Sequence, residues 1–239
     1  EGNTLDLQLA KELYAASLDA ASDNNIKALI LTANGKLFCG GGNLKFLLSK
    51  KKEVKKTLLE MTMYFHGAIS RMARMSAPVI VGINGTAGGG GFSLAITGDI
   101  IYAVKDAKFT LAYTNAGLSP DGSSTYYLPR IVGMKRAKEL MLTNRLFSAG
   151  EALDMGLIDK VVNSNEELNE AINKQAEVFS KGPVNAYKSV KKLLNESFHN
   201  SLESQMEMES VHISNNAESK HGIEGITAFS EKRKPNFNE

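Results

Sequence analysis

Two glycine-rich stretches stand out as places where main-chain groups could do chemistry. Val79 to Leu94 reads V-I-V-G-I-N-G-T-A-G-G-G-G-F-S-L: a β-branched run after Pro78, five glycines (Gly85 and Gly88 to Gly91), then an apolar segment. Strand, glycine loop and helix start in that order leave unpaired N–H groups at the positive end of a helix dipole. Glycine lets a ligand come within hydrogen-bond reach of the main chain. Leu29 to Thr32 is a second short strand, and it leads to Gly35 and then to Phe38-Cys39-Gly40-Gly41-Gly42-Asn43-Leu44-Lys45. Tight turns and close packing alone account for many such loops. A dinucleotide fingerprint fails on spacing, because Ser93 falls where its third glycine belongs, and there is no Gly-Lys-Ser/Thr ending for a phosphate loop. The remaining chemical use is an oxyanion hole, with one N–H from each loop on a single oxygen.

The side chains say less alone. Asp121 sits in the breaker-rich loop Gly117 to Thr125 and could be an ordinary turn or capping Asp. His66 lies on a helical stretch with no partner in sequence, as a packed or surface histidine would. Cys39 reads as a small buried filler. The four histidines show no metal-ligand spacing, and no metal is expected.

Phe38 to Lys45 and Asn84 to Ala95 resemble the paired loops of the crotonase (enoyl-CoA hydratase/isomerase) superfamily. The resemblance runs from Asn3-Thr4-Leu5 to Lys234-Pro235-Asn236-Phe237. It implies an α/β fold, a spiral of ββα units over residues 1–178, followed by a helical oligomerisation region over 179–239. It implies a coenzyme A thioester as substrate, with coenzyme A as part of that substrate and no separate cofactor. The thioester oxygen would be held by the N–H groups of Gly42 and Gly90. Phe38, Leu44, Lys45, Gly89, Tyr113 and Lys232 would help bind substrate, and the subunits would form a homotrimer or a dimer of trimers.

The resemblance also narrows the chemistry. The two glutamates of a hydratase would fall at Ser93 and Tyr113, neither of which is an acid. The loop Leu118-Ser119-Pro120-Asp121-Gly122 resembles the isomerase branch, where an acid at this position shuttles a proton. Burial in an apolar acyl pocket is expected to raise the Asp121 pKa toward neutrality. Arg130 to Met134 and Glu139 to Arg145 resemble 4-chlorobenzoyl-CoA dehalogenases. There the matching Asp attacks the ring, and a histidine that aligns with His66 activates water. Tyr113 departs from that pattern, which has a tryptophan. The leading expectation is an enoyl-CoA isomerase using Asp121. The alternatives are dehalogenase-like hydrolysis using Asp121 and His66, and a catalytically silent thioester-binding module.

The elements that must position these groups follow from periodicity. Leu5, Leu9, Leu13, Ala16 and Ala20 make an amphipathic helix over 5–21 with Thr4 as N-cap. Lys50 to Met75 reads as a long helix that Gly67 could interrupt. Short strands are expected at 26–32, 99–103 and 109–112, a helix at 137–142, and only helices after about Glu166. The first residues already resemble the family's passage from an opening hairpin into its first helix, so opening strands are expected upstream.

At 239 residues, 43% hydrophobic, 23% charged and with net charge +2, the chain has the profile of an ordinary globular protein without a nucleic-acid footprint. One cysteine excludes an internal disulfide and fits a reducing compartment. No run approaches a membrane span, and no signal peptide is visible. A cytoplasmic location is expected, with an organellar targeting peptide upstream left open.

Overall fold

A computed structural model describes residues 2–237. Its first helix, α1 (Leu7–Ser22), starts later than periodicity suggests and is capped by Asp6 rather than Thr4, the carboxylate accepting from Leu9 N at 2.9 Å. The reason is that Leu5 is committed elsewhere. Its N–H donates to Gly41 O and its C=O accepts from Asn43 N, both at 2.7 Å, so the chain is still extended there.

After β1 (Leu29–Leu31) and β2 (Leu37–Cys39) come α2 (Leu44–Ser49), a 3₁₀ turn (Lys51–Glu53) and α3 (Val54–Arg74). Thr57, Met61, Phe65, Ile69 and Met72 form the buried stripe of α3, at intervals of three and four residues. Gly67 does not interrupt this helix. A Cβ there would lie 2.6 Å from the Tyr14 ring, so the glycine lets α1 and α3 close on each other.

The chain continues through β3 (Val79–Ile83), β4 (Thr86–Gly88), α4 (Gly90–Ala95), β5 (Ile100–Val104) and β6 (Lys108–Thr110). Next come α5 (Ser124–Thr143), β7 (Phe147–Ser148), α6 (Ala149–Asp154) and β8 (Lys160–Val162). The helix expected at 137–142 is therefore the second half of a longer one. Gly133, at φ 78° and ψ 156°, breaks α5 in the middle, which hid its first half from periodicity. The last four helices are α7 (Asn165–Ser180), α8 (Val184–Glu196), α9 (Leu202–Glu218) and α10 (Lys220–Ser230).

From β1 to β6 the strands alternate between two sheets as the chain advances, and β7 then joins the second sheet before β8 joins the first. One sheet has the order β1-β3-β5-β8, all parallel; the other has β2-β4-β6-β7, with only the β6–β7 pair antiparallel. Each turn of the chain adds one strand to each sheet, with helices between the turns. That is the expected spiral of ββα units. Phe92, Phe109 and Phe147 fill the space beside the second sheet, with ring centroids 5.4–6.4 Å apart. Among the described residues no helix is long and apolar enough to cross a membrane.

Candidate active site

The two glycine loops meet. A Cβ on Gly41 would lie 2.7 Å from Gly88 O, and one on Gly91 would lie 2.3 Å from Cys39 O. Those glycines are required by backbone-to-backbone contact between the loops. Gly42 differs, because a Cβ there would meet nothing within 4 Å. Its side of the loop faces the open volume of a cavity of about 300 Å³, which Gly42, Gly89 and Gly90 all line. Gly89 N–H is already given to Thr110 O at 3.1 Å. Among the described residues the N–H groups of Gly42 and Gly90 have no hydrogen-bond acceptor.

Leu5, Leu44, Leu47, Leu58, Met61 and Phe65 are among the apolar walls of the cavity, and among the described residues Asp121 is its only carboxylate. Three hydroxyls hold the Asp121 main chain. Its carbonyl oxygen lies 2.7 Å from Ser93 Oγ, 2.9 Å from Ser124 Oγ and 3.1 Å from Tyr113 Oη, and Ser93 and Tyr113 are 2.8 Å from each other. Gly122 completes the turn at φ 63°, where a Cβ would strike Phe65 at 2.6 Å and Ser93 at 2.8 Å. Burial holds the Tyr113 phenol well above its ordinary pKa, so it stays protonated and can donate.

The Asp121 carboxylate itself goes to His66, with Oδ1 to Nε2 at 2.7 Å. The expected upward pKa shift is corrected here. Burial does push the carboxyl up, but the hydrogen bond and charge of His66 outweigh it and leave Asp121 below its ordinary value. His66 moves the other way, raised mainly by its bond to Asp121 against the opposing effect of burial. Each shift favours the charged form of its group, and both side chains keep access to solvent.

The expected site residues divide clearly. Gly42, Leu44, Gly89, Gly90, Tyr113 and Asp121 line one cavity, and His66 reaches Asp121 from outside it. The structure places Phe38 in the core at 3% exposure, beside the equally buried Cys39. Lys45 is exposed at the start of α2, and Lys232 is exposed after α10, outside the cavity. Sequence reasoning missed Ser93 and Ser124 as holders of the Asp121 loop. The signal for Ser93 was available, since it is a hydroxyl at a position where the family's hydratases carry an acid.

The enoyl-CoA hydratase/isomerase family model matches residues 1–239. The chain is 30% identical over 231 residues to 4-chlorobenzoyl coenzyme A dehalogenase-2 of Arthrobacter sp, covering 96% of this chain and 83% of that protein. It is 30% identical over 236 residues to 1,2-epoxyphenylacetyl-CoA isomerase of Escherichia coli K12, covering 98% and 90%. A crystal structure of an enoyl-CoA hydratase/isomerase from Cupriavidus metallidurans CH34 superposes with a TM-score of 0.90 at 30% identity, covering 99% of this chain and 88% of that one. Sequence, fold and paired glycine loops agree: the chain belongs to the enoyl-CoA hydratase/isomerase family, within the crotonase superfamily.

Proposed function

We propose that this protein is an acyl-CoA isomerase that moves a double bond of an enoyl-CoA thioester from the 3- to the 2-position. The observation that carries this reading is that, among the described residues, a single carboxylate, Asp121, lines a largely apolar cavity beside two glycine N–H groups that have no acceptor. A 1,3 proton shift needs one base. Asp121 takes a proton from C2, and the C–H electron pair moves toward the thioester oxygen. The N–H groups of Gly42 and Gly90 stabilise the charge that develops there. The carboxyl then gives its proton to C4, and the double bond ends in conjugation with the carbonyl. The lowered pKa of Asp121 keeps it ionised and ready for the first step.

Hydration needs a second carboxylate to activate water. Ser93 and Tyr113 occupy the two places where it would come from, and both are tied to the Asp121 main chain. Their role in this reading is to fix the base.

A second reading has one observation in its favour. His66 lies at hydrogen-bond distance from Asp121, as dehalogenase-like hydrolysis would use it. Against it, the Tyr113 hydroxyl donates to the Asp121 main-chain oxygen and not to the carboxylate, so Tyr113 does not replace the missing tryptophan N–H. A silent binding module would have no use for a carboxylate fixed this firmly.

The test is conjugation of a 3-enoyl-CoA, followed by ultraviolet absorbance. Asp121→Asn should lower turnover by about 10²–10⁴, the usual worth of a general base, while thioester binding persists. Unchanged turnover in that variant would sink the proposal. Turnover of a 4-halobenzoyl-CoA in place of the enoyl thioester would favour the second reading.

The same reading gives the C-terminal helices the work of assembly, as a homotrimer or a dimer of trimers. Leu202, Ile213 and Phe229 are 69%, 70% and 88% exposed there, large apolar side chains that a neighbouring subunit would cover. Lys232 would then meet the anionic end of coenzyme A on a neighbouring subunit.

A further inference from the structure

The Asp121–His66 hydrogen bond joins two cavities of opposite character. Asp121 lines the apolar cavity of about 300 Å³ described above, and His66 does not. His66 instead lines a second cavity, of about 480 Å³, which Asp121 does not reach. Phe65 and His66 are neighbours on α3, about 100° apart around the helix, and this places one on each side. The second cavity is polar: Ser70, Arg74, Tyr126, Asn195 and His199 share it with His66. Its far wall is braced. Tyr126 Oη lies 3.2 Å from His199 Nε2, the Arg130 guanidinium sits 3.6 Å from the Tyr126 ring centroid, and Asn195 Nδ2 donates to Ala73 O at 3.0 Å. The His66 ring gives Nε2 to Asp121, and among the described residues its Nδ1 has no partner.

We propose that His66 relays the proton held by Asp121 to water in this polar cavity, so that the migrating proton exchanges with solvent during turnover. The inference rests on the isomerase reading only in its choice of assay. An acyl chain in the first cavity shuts water out from the apolar side, and the polar side then becomes the route for exchange. The protons balance. Asp121 breaks the C2–H bond and becomes a neutral carboxylic acid beside a His66 imidazolium. The half-exposed imidazolium turns away from Asp121 and loses its Nε2 proton to water in the polar cavity while keeping Nδ1–H. On returning it takes the carboxyl proton on the vacated Nε2, so that the ionised Asp121 and an imidazolium whose Nε2 proton exchanges with water are restored. The reverse sequence brings a solvent proton to Asp121, which delivers it to C4.

The experiment is turnover in D₂O of a 3-enoyl-CoA long enough to fill the first cavity, with deuterium at C4 of the product measured by mass spectrometry. The ratio of exchange to turnover is the readout, which a merely structural role for His66 would leave unchanged. The wild-type protein should incorporate deuterium. His66→Gln should lower the ratio severalfold, passing the C2 proton directly to C4. Ala73→Leu, which puts a bulkier apolar side chain into the lining of the second cavity and leaves His66 and Asp121 in place, should lower it in the same direction. Washout of the C2 proton of a saturated acyl-CoA is measured in parallel, because it needs Asp121 but no double-bond shift. Washout that depends on His66 and Ala73, without conjugation, would uphold the relay and sink the isomerase reading. Conjugation with a wild-type exchange ratio in either variant would overturn the relay and leave the isomerase standing. Absence of exchange from both thioesters in the wild-type protein would also overturn it.

Discussion

All six residues of α4, which opens at the second glycine loop, are buried, whereas α9 runs for seventeen residues without burying one. Around α4 the residue choices answer to atoms of the same chain: Gly91 to the Cys39 carbonyl, Gly122 to Phe65 and Ser93. Along α9 and α10, Leu202, Met206, Ile213, Ile226 and Phe229 are between half and nearly fully exposed. The residues around the spiral's loops are fixed by contacts within it, and the terminal helices leave large apolar side chains exposed. That contrast separates substitutions that should cost stability from those that should cost assembly.

The largest effect is expected at the seam between the two regions. Lys191 on α8 is only 8% exposed at its side chain, with Nζ 2.7 Å from Asp99 Oδ2 and donating to Met72 O and Ala77 O. The same Asp99 oxygen accepts from Val79 N at the start of β3. Burial pulls the Lys191 pKa down, opposed by Asp99. Lys191→Ala removes one partner of a largely buried pair and leaves two carbonyls unpaired, which should cost about 3 kcal/mol, the low end for such a loss because Asp99 keeps some water. The melting temperature should fall by roughly 6–12 °C, read by calorimetry. A shift of a degree or less would show that α8 is held by its apolar face alone.

A smaller effect should split two adjacent glycines. Gly41→Ala puts a side chain at φ 88° and within 2.7 Å of Gly88 O, costing about 1–3 kcal/mol from strain alone. Gly42→Ala meets nothing within 4 Å and should leave the melting temperature unchanged, yet it should lower kcat/KM because the new methyl enters the thioester's space. Equal loss of stability in both variants would contradict the assignment of Gly42 to the substrate.

The smallest effect on the single chain is expected at Phe229. Phe229→Ser should change the stability of an isolated subunit by less than about 0.5 kcal/mol, while sedimentation velocity shows weakened self-association. Unchanged association with Ile226→Ser added would place the subunit interface elsewhere.

Much of this was legible from residue types. Short apolar runs before glycines located β1 and β3, and α1 and α3 followed from their apolar stripes. Where local reading failed, a distant contact had decided the outcome. Leu5 pairs with the Gly41–Asn43 loop and so moves the cap of α1 from Thr4 to Asp6. Gly67 looks like a break because Tyr14, which needs its space, is 53 positions away in sequence. The Asp121 pKa depends on His66, 55 positions away, and no single-segment pattern reports that pairing. Lys191 sits among three lysines in Lys188-Ser189-Val190-Lys191-Lys192, and its burial follows from Met72, Ala77 and Asp99, all distant in sequence. The paired glycine loops were the easiest feature to read, because a glycine needed by the backbone can be replaced by nothing else.

The central claim is that one carboxylate serves this cavity, and product analysis of the wild-type protein tests it most directly. A 3-enoyl-CoA and a 2-enoyl-CoA are supplied in separate reactions, and the products are separated and weighed by mass spectrometry. The account predicts conjugated 2-enoyl-CoA from the first and no 3-hydroxyacyl-CoA from either. Rapid formation of 3-hydroxyacyl-CoA from the 2-enoyl thioester would contradict it, because water would then be activated without a second acid.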